Sequence, residues 1–218
     1  MRLTFSSVLV AAAGALLTAG LSPHVAEASG IGESGRTSIV IRTYTQPASA
    51  GEMRIARRTA SAILDGAGIQ AFWLECALPG AVTADPPDDP CTKPLRRNEL
   101  LVRIVTAGAA DRRLHADTLG FAFVDVDAGG GSLATVYADR VASMAQEAGI
   151  DTAELLGRTI AHEVGHLLLG TNQHAQHGLM RASWSGADLR RNRATQWLFG
   201  GEEAAVMRKG LANRAPAI

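Results

Sequence analysis

Residues 151–170 read DTAELLGRTIAHEVGHLLLG, and this stretch decides both the fold and the chemistry. Asp151 and Glu154 have capping-box spacing: the Asp151 carboxylate can accept from the Glu154 amide while Glu154 reaches back to the amide of Asp151. A helix therefore starts at about residue 152. Leu155, Leu156, Ile160, Val164, Leu167 and Leu168 recur at helical spacing and give an apolar face able to bury against a sheet. Gly170 ends the helix after about 18 residues, roughly 27 Å of length at 1.5 Å per residue. Inside it lies His162-Glu163-Val164-Gly165-His166. Two histidines four positions apart share one helix face, so both imidazoles can reach one Zn²⁺. Glu163 is placed to take a proton from a water that the metal activates, which is the general-base step of metal-assisted amide hydrolysis. The motif points to a zinc hydrolase, and to a peptidase in particular.

Catalytic zinc commonly takes three protein ligands and leaves one position open. Downstream the chain runs Gly170-Thr171-Asn172-Gln173-His174-Ala175-Gln176-His177-Gly178-Leu179-Met180. A glycine that breaks the helix lets the chain turn back toward the metal, so a histidine a few residues later can complete the site. His174 and His177 are both available. A further alternative keeps the two helix histidines and takes an acidic third ligand from a downstream helix, with Glu202 and Glu203 as candidates, as thermolysin-like enzymes do. Their position just after Gly200-Gly201 also suits acidic residues at a helix N-terminus, where they complement the macrodipole.

The order HExxH, helix-ending glycine, third histidine and methionine resembles the metzincin zinc metallopeptidases, whose zinc motif is followed by a Met-turn beneath the metal. In the usual metzincin spacing the Gly and third His fall where this chain has Leu169 and Asn172; Gly170 and His174 come one and two residues late. The longer spacing is similar to that of uncharacterised bacterial proteins reading HExGHLLLG, then Asn, His and Gly-[Ile/Leu]-Met-Arg. This resemblance implies His162, His166 and His174 as ligands of one catalytic zinc, Glu163 as base and Met180 as the Met-turn residue. It implies an α+β, metzincin-like fold: a twisted mixed five-stranded sheet with two long helices, the active-site helix being followed by the Met-turn and C-terminal helices. It also implies that a strand around Leu119 to Phe123 forms the edge over the cleft, where an extended peptide can add by backbone hydrogen bonds, and that Arg181 and Trp184 wall a specificity pocket.

The coarse pattern along the chain agrees. Ser38 to Tyr44 is rich in β-formers and reads as a first strand. Met53, Ala56, Ala60, Ile63 and Leu64 fall on one face of a helix over residues 51–65, ending at Gly66 or Gly68. Strands are expected over residues 70–76, 100–106, 118–126 and 133–138, and helices over 188–199 and 202–213. With 218 residues, 47% of them hydrophobic, the chain has room for one domain with a proper core. Its 21 basic and 21 acidic residues cancel, which gives no footing for nucleic acid or an anionic membrane. The expected partner is a protein or peptide substrate, and the expected state is a monomer.

The N-terminus carries an export address. Arg2 precedes an uncharged apolar stretch from Leu3 to Leu21, and Ala26-Glu27-Ala28 has the small-x-small pattern of a signal-peptidase site. Residues 1–28 are thus expected to be a signal peptide, with an uncleaved anchor as the alternative. Residues 29–36 read as a flexible lead-in and 37–218 as the metallopeptidase domain of a secreted or periplasmic bacterial protein, with no stable membrane association once the signal is cleaved. Export makes sense of the cysteines: Cys76 and Cys91 are the only two, they bracket a proline-rich loop, and in an oxidising compartment they are expected to form a disulfide. A third class of function remains, an exported protein whose zinc only stabilises the fold.

Overall fold

The structure, a computed structural model, describes residues 37–46, 50–77, 88–108 and 118–214. The expected signal peptide and lead-in lie outside these. The chain order is β1 (Thr37–Thr45), α1 (Ala50–Gly66), β2 (Ile69–Cys76), β3 (Glu99–Val105), β4 (Gly120–Asp125), β5 (Gly130–Tyr137), α2 (Ala138–Ala148), α3 (Thr152–Leu169), α4 (Gly186–Arg191) and α5 (Gly201–Asn213). Five strands form one mixed sheet in the order β2-β1-β3-β5-β4. The first four run parallel and β4 closes the edge antiparallel to β5. The architecture is α+β, with two long helices, α1 and α3, packed on each other and on the sheet. No described helix is long and apolar enough to cross a membrane.

Alternation explains which sheet face is covered. Ile39 and Ile41 on β1, Leu100, Val102 and Ile104 on β3, and Ala134 and Val136 on β5 are all buried, and with Ala56, Ala60, Leu64, Ile160, Val164 and Leu167 of the two long helices they form one core. The apolar stripe of α3 is so fully enclosed that nearly every residue from Ala153 to Leu168 is buried, histidines included. Asp151 caps it, its Oδ1 accepting from the Glu154 amide at 2.8 Å, and Gly170 ends it in the left-handed conformation.

Two expectations need correction. Residues 188–199 are not one helix: α4 starts earlier, at a Ser185–Asp188 capping box, and stops at Asn192, whose φ of 42° breaks the helical path before a separate 3₁₀ turn at Ala194–Trp197. Arg158 of α3 donates to the Asn192 side chain, and this tertiary bond competes with continuation of the helix. Helix α2 is additional to the expected elements: Val141, Ala145 and Ala148 lie buried at i, i+4 and i+7 and Gly149 caps the end.

Cys76, the last residue of β2, is bonded to Cys91 in a 3₁₀ turn at Pro90–Thr92, with the two Cα atoms 5.6 Å apart. The turn is also tied to β1: Tyr44 Oη donates to the Cys91 carbonyl at 3.1 Å, Arg42 Nη1 donates to the Lys93 carbonyl at 2.6 Å, and Arg42 pairs with buried Glu99. Replacing both cysteines by alanine is expected to lower stability in denaturant unfolding by about 3 kcal/mol, the chain-entropy value for a loop of this length, without changing metal content. A loss well under 1 kcal/mol would show that the side-chain ties alone hold the turn.

Candidate metal centre and active site

His162 and His166 stand one turn apart on α3, and each has its Nδ1 facing a backbone carbonyl: Leu179 at 2.9 Å for His162, Thr171 at 2.8 Å for His166. A carbonyl only accepts, so both rings carry the proton on Nδ1 and present a bare Nε2 lone pair. Those two Nε2 atoms lie 3.1 Å apart, and Nε2 of His174 is 3.3 Å from that of His166. Lone pairs at this separation repel unless a cation lies between them. Tetrahedral zinc with Zn–N bonds of 2.0–2.1 Å requires neighbouring nitrogens about 3.3 Å apart, so the donor set fits zinc in element and number, and the two separations around His166 match its spacing. The ligand atoms of the three residues all lie within 4.8 Å of one another.

The segment after α3 delivers the third imidazole. Gly170 turns the chain, its N–H donating to the His166 carbonyl, and Thr171 Oγ1 accepts from the Gln173 amide at 3.1 Å. A hydrogen bond from Ala175 N–H to the Met180 carbonyl at 2.8 Å then closes the loop that holds His174 against α3. His177 is exposed within this loop and is not part of the group. Glu202 and Glu203 sit in the first turn of α5, where Glu203 Oε2 accepts from the Gly200 amide at 2.7 Å; that carboxylate serves as a helix cap, and neither residue belongs to the group. Met180 is buried, with its Sδ against Gly165 between the two helix histidines. A Cβ at Gly165 would lie 2.6 Å from that sulfur and 2.7 Å from a Phe199 ring carbon, so only glycine lets Met180 pack this closely against the helix.

Glu163 is 4% exposed and points to the other side, against the edge of the sheet. At Gly120 of β4 a Cβ would come within 2.9 Å of Glu163 Oε1, so the bare strand leaves room for the carboxyl group. Glu163 Oε2 is buried without a hydrogen-bond partner among the described residues. Burial pushes its pKa up to about 8, where a carboxylate can take and return a proton near neutrality. The histidines shift the opposite way. Burial lowers His162 to about 3, helped by His166 and His174 and opposed by the Leu179 carbonyl, and burial also lowers His166 and His174. All three favour the neutral form that ligates metal.

These shifts set the pH response of protein stripped of metal by a chelator. Glu163 has a folded pKa above its unfolded 4.5, so the folded state holds more protons between 4.5 and about 8, and stability falls as pH rises through that window. His162 has a folded pKa below its unfolded 6.5, so its contribution is lost as pH falls from 6.5 toward 3. Just above pH 6.5 the unfolded histidines are still losing protons, so their contribution goes on rising and partly offsets the Glu163 loss. The difference between wild type and Glu163→Gln isolates the carboxyl: in urea unfolding the stability of wild type relative to the variant is expected to drop by roughly 2 kcal/mol between pH 6.5 and 8. A difference that stays flat with pH would mean the carboxyl is solvated.

The site opens into a cleft of about 460 Å³. Thr118 to Ala122, Met144, Thr159, the site residues of α3 and residues 181–184 line it. Trp184 and Arg181, which the resemblance set in a pocket wall, both line it. The Trp184 ring meets His162 edge-on with centroids 5.5 Å apart and Trp197 at 5.4 Å, while Arg181 pairs with Asp188 at 3.3 Å. Met144, Thr159 and the two histidine-orienting carbonyls escaped the sequence reading. A carbonyl has no residue-type signature, whereas the lone glycine in Leu119-Gly120-Phe121 did carry a signal for close backbone approach.

No protein-family model matches the chain, and no curated protein matches it. Among solved structures the chain is similar to a zinc-dependent peptidase from Methanocorpusculum labreanum (strain Z), with 17% identity and a TM-score of 0.49, over 77% of this chain and 99% of that one. It is also similar to an archaemetzincin from Methanopyrus kandleri, with 13% identity and a TM-score of 0.48, over 80% of this chain and 96% of that one. The chemistry open to the site follows from its own donor set.

Proposed function

We propose that the chain is an exported, zinc-dependent endopeptidase, secreted or periplasmic, that works as a monomer on polypeptide substrates. The observation that carries this is the pairing of three converging imidazoles with a buried carboxyl group whose Oε2 has no hydrogen-bond partner among the described residues, at an open cleft. His162, His166 and His174 hold one zinc ion. When bound, zinc supplies Lewis acidity to the scissile carbonyl and acidifies the attacking water. Glu163 takes that water's proton and hands it to the departing amine. A zinc that only braced the fold would be closed by four protein ligands and would have no use for an unpaired buried carboxyl beside it, which costs stability.

Substrate placement follows from the ladder. Tyr137 N–H donates to the Leu119 carbonyl at 2.8 Å, so Leu119, and by alternation Phe121 and Phe123, bond inward to β5. Gly120 and Ala122 therefore turn their N–H and C=O groups to the open edge beside the cleft. An extended peptide can add there as a further strand, with backbone bonds that make recognition tolerant of sequence.

The test is cleavage of casein, an unstructured protein. Purified protein should cut it, lose the activity to a chelator and regain it with one equivalent of zinc. Bound zinc without turnover would leave only a structural role.

A further inference from the structure

We infer that Phe121 and Phe123 form a binding shelf for apolar side chains, and that the substrates are extended polypeptides carrying such side chains at two positions two residues apart. This rests on the edge-strand binding proposed above. The Cβ direction of Gly120 meets Glu163 of α3, so strand alternation puts Phe121 and Phe123 on the opposite face of β4. Their rings meet edge-on with centroids 4.9 Å apart, and Phe121 leans on the buried Tyr137 ring at 6.0 Å. The inner ring is thereby fixed, while the outer one, Phe123, is 53% exposed.

Open sheet edges are normally guarded by charge, proline or a short strand, because a bare apolar edge recruits other strands. Here the edge strand reads Gly120-Phe121-Ala122-Phe123-Val124-Asp125, with no charge before its last residue. This apolar edge is continuous with the candidate active site, since Phe121 also lines the cleft. A peptide strand laid along it sends alternate side chains to opposite faces. Those on one face point down toward α3, and those on the other come level with Phe121 and Phe123, at the spacing of cross-strand pairs. Gly120 lies beside Glu163, whereas residues next to Phe123 on β5 lie beside Leu167, one helical turn further on. Both shelf positions therefore fall on the same side of the scissile bond, toward Leu167 and away from Thr159 along α3.

The test uses the zinc-loaded protein carrying Glu163→Gln, so that bound peptide survives, and two fluorescein-labelled ten-residue Gly/Ser peptides. One bears Phe at two positions two residues apart; the other has Ser at both. Fluorescence anisotropy should show the Phe peptide binding about tenfold more tightly. Adding Phe123→Ser should shrink that advantage to about twofold or less, and Phe123→Leu should keep most of it. Because the Phe123 ring is half-exposed, neither change should affect folding, which circular dichroism checks. Equal binding of the two peptides, or an advantage that survives Phe123→Ser, overturns the shelf. Mapping casein cleavage sites with wild-type protein separates the shelf from the activity. Cleavage without apolar residues at alternate positions on one side of the cut refutes the shelf and leaves the peptidase standing. Selective peptide binding with no cleavage refutes the peptidase and leaves the shelf standing.

Discussion

Glu163→Gln is expected to lower kcat on casein by on the order of 10³-fold while the protein still binds one zinc per chain. The substitution keeps the shape of the side chain and the room that Gly120 provides, but removes the site's ability to accept a proton. KM should change little, because the backbone groups of β4 and the cleft walls that hold the peptide are untouched. Stability of the metal-stripped variant should hold or rise near pH 8, since it no longer has to bury an ionisable group whose folded pKa is about 8 without the metal. Near-normal kcat in this variant would remove Glu163 from the mechanism.

His174→Ala is expected to weaken zinc binding by a factor of 100 or more, and His177→Ala by less than about twofold. Both residues sit in the loop after Gly170, and the sequence offered both as ligands. Both are exposed, but the structure sets the Nε2 of His174 3.3 Å from that of His166, whereas His177 lies outside the cluster. Losing one of three nitrogens leaves a two-histidine site that zinc occupies weakly. Dialysis against a zinc buffer followed by metal analysis distinguishes the two variants. If His177→Ala alone empties the site, the ligand assignment moves to that residue; if Glu202→Ala or Glu203→Ala does so, the three-histidine centre itself is wrong.

What could be read from residues alone follows the range of the interactions involved. Helix α3 was legible because its determinants are local: a capping box at Asp151, an apolar stripe and a glycine stop. The pairing of His162 with His166 follows from helical periodicity. The strands were legible from runs of β-formers and α1 from helical spacing, the mixed sheet only through the family resemblance, and the cysteine pair from its being the only one in a chain with an export address. His174 over His177 was not decidable locally, because the choice depends on how the loop is closed by the bond from Ala175 to Met180. The break of α4 at Asn192 depends on Arg158, which is 34 residues away in sequence. Nothing in the residue pattern marks the Leu179 and Thr171 carbonyls that fix the histidine tautomers, since any residue supplies a carbonyl. Gly120 and Gly165 fall between these cases: glycines inside a strand and a helix signal a close approach without naming the neighbour.

The most direct test of the three-histidine centre is X-ray absorption spectroscopy of protein loaded with one equivalent of zinc. The expected spectrum is a single tetrahedral site with three imidazole nitrogens at about 2.0–2.1 Å and one further oxygen from solvent. Glu163→Gln should leave that spectrum nearly unchanged, and His174→Ala should reduce the imidazole count to two. A site closed by four protein ligands, or a wild-type site with only two imidazoles, would contradict the assignment.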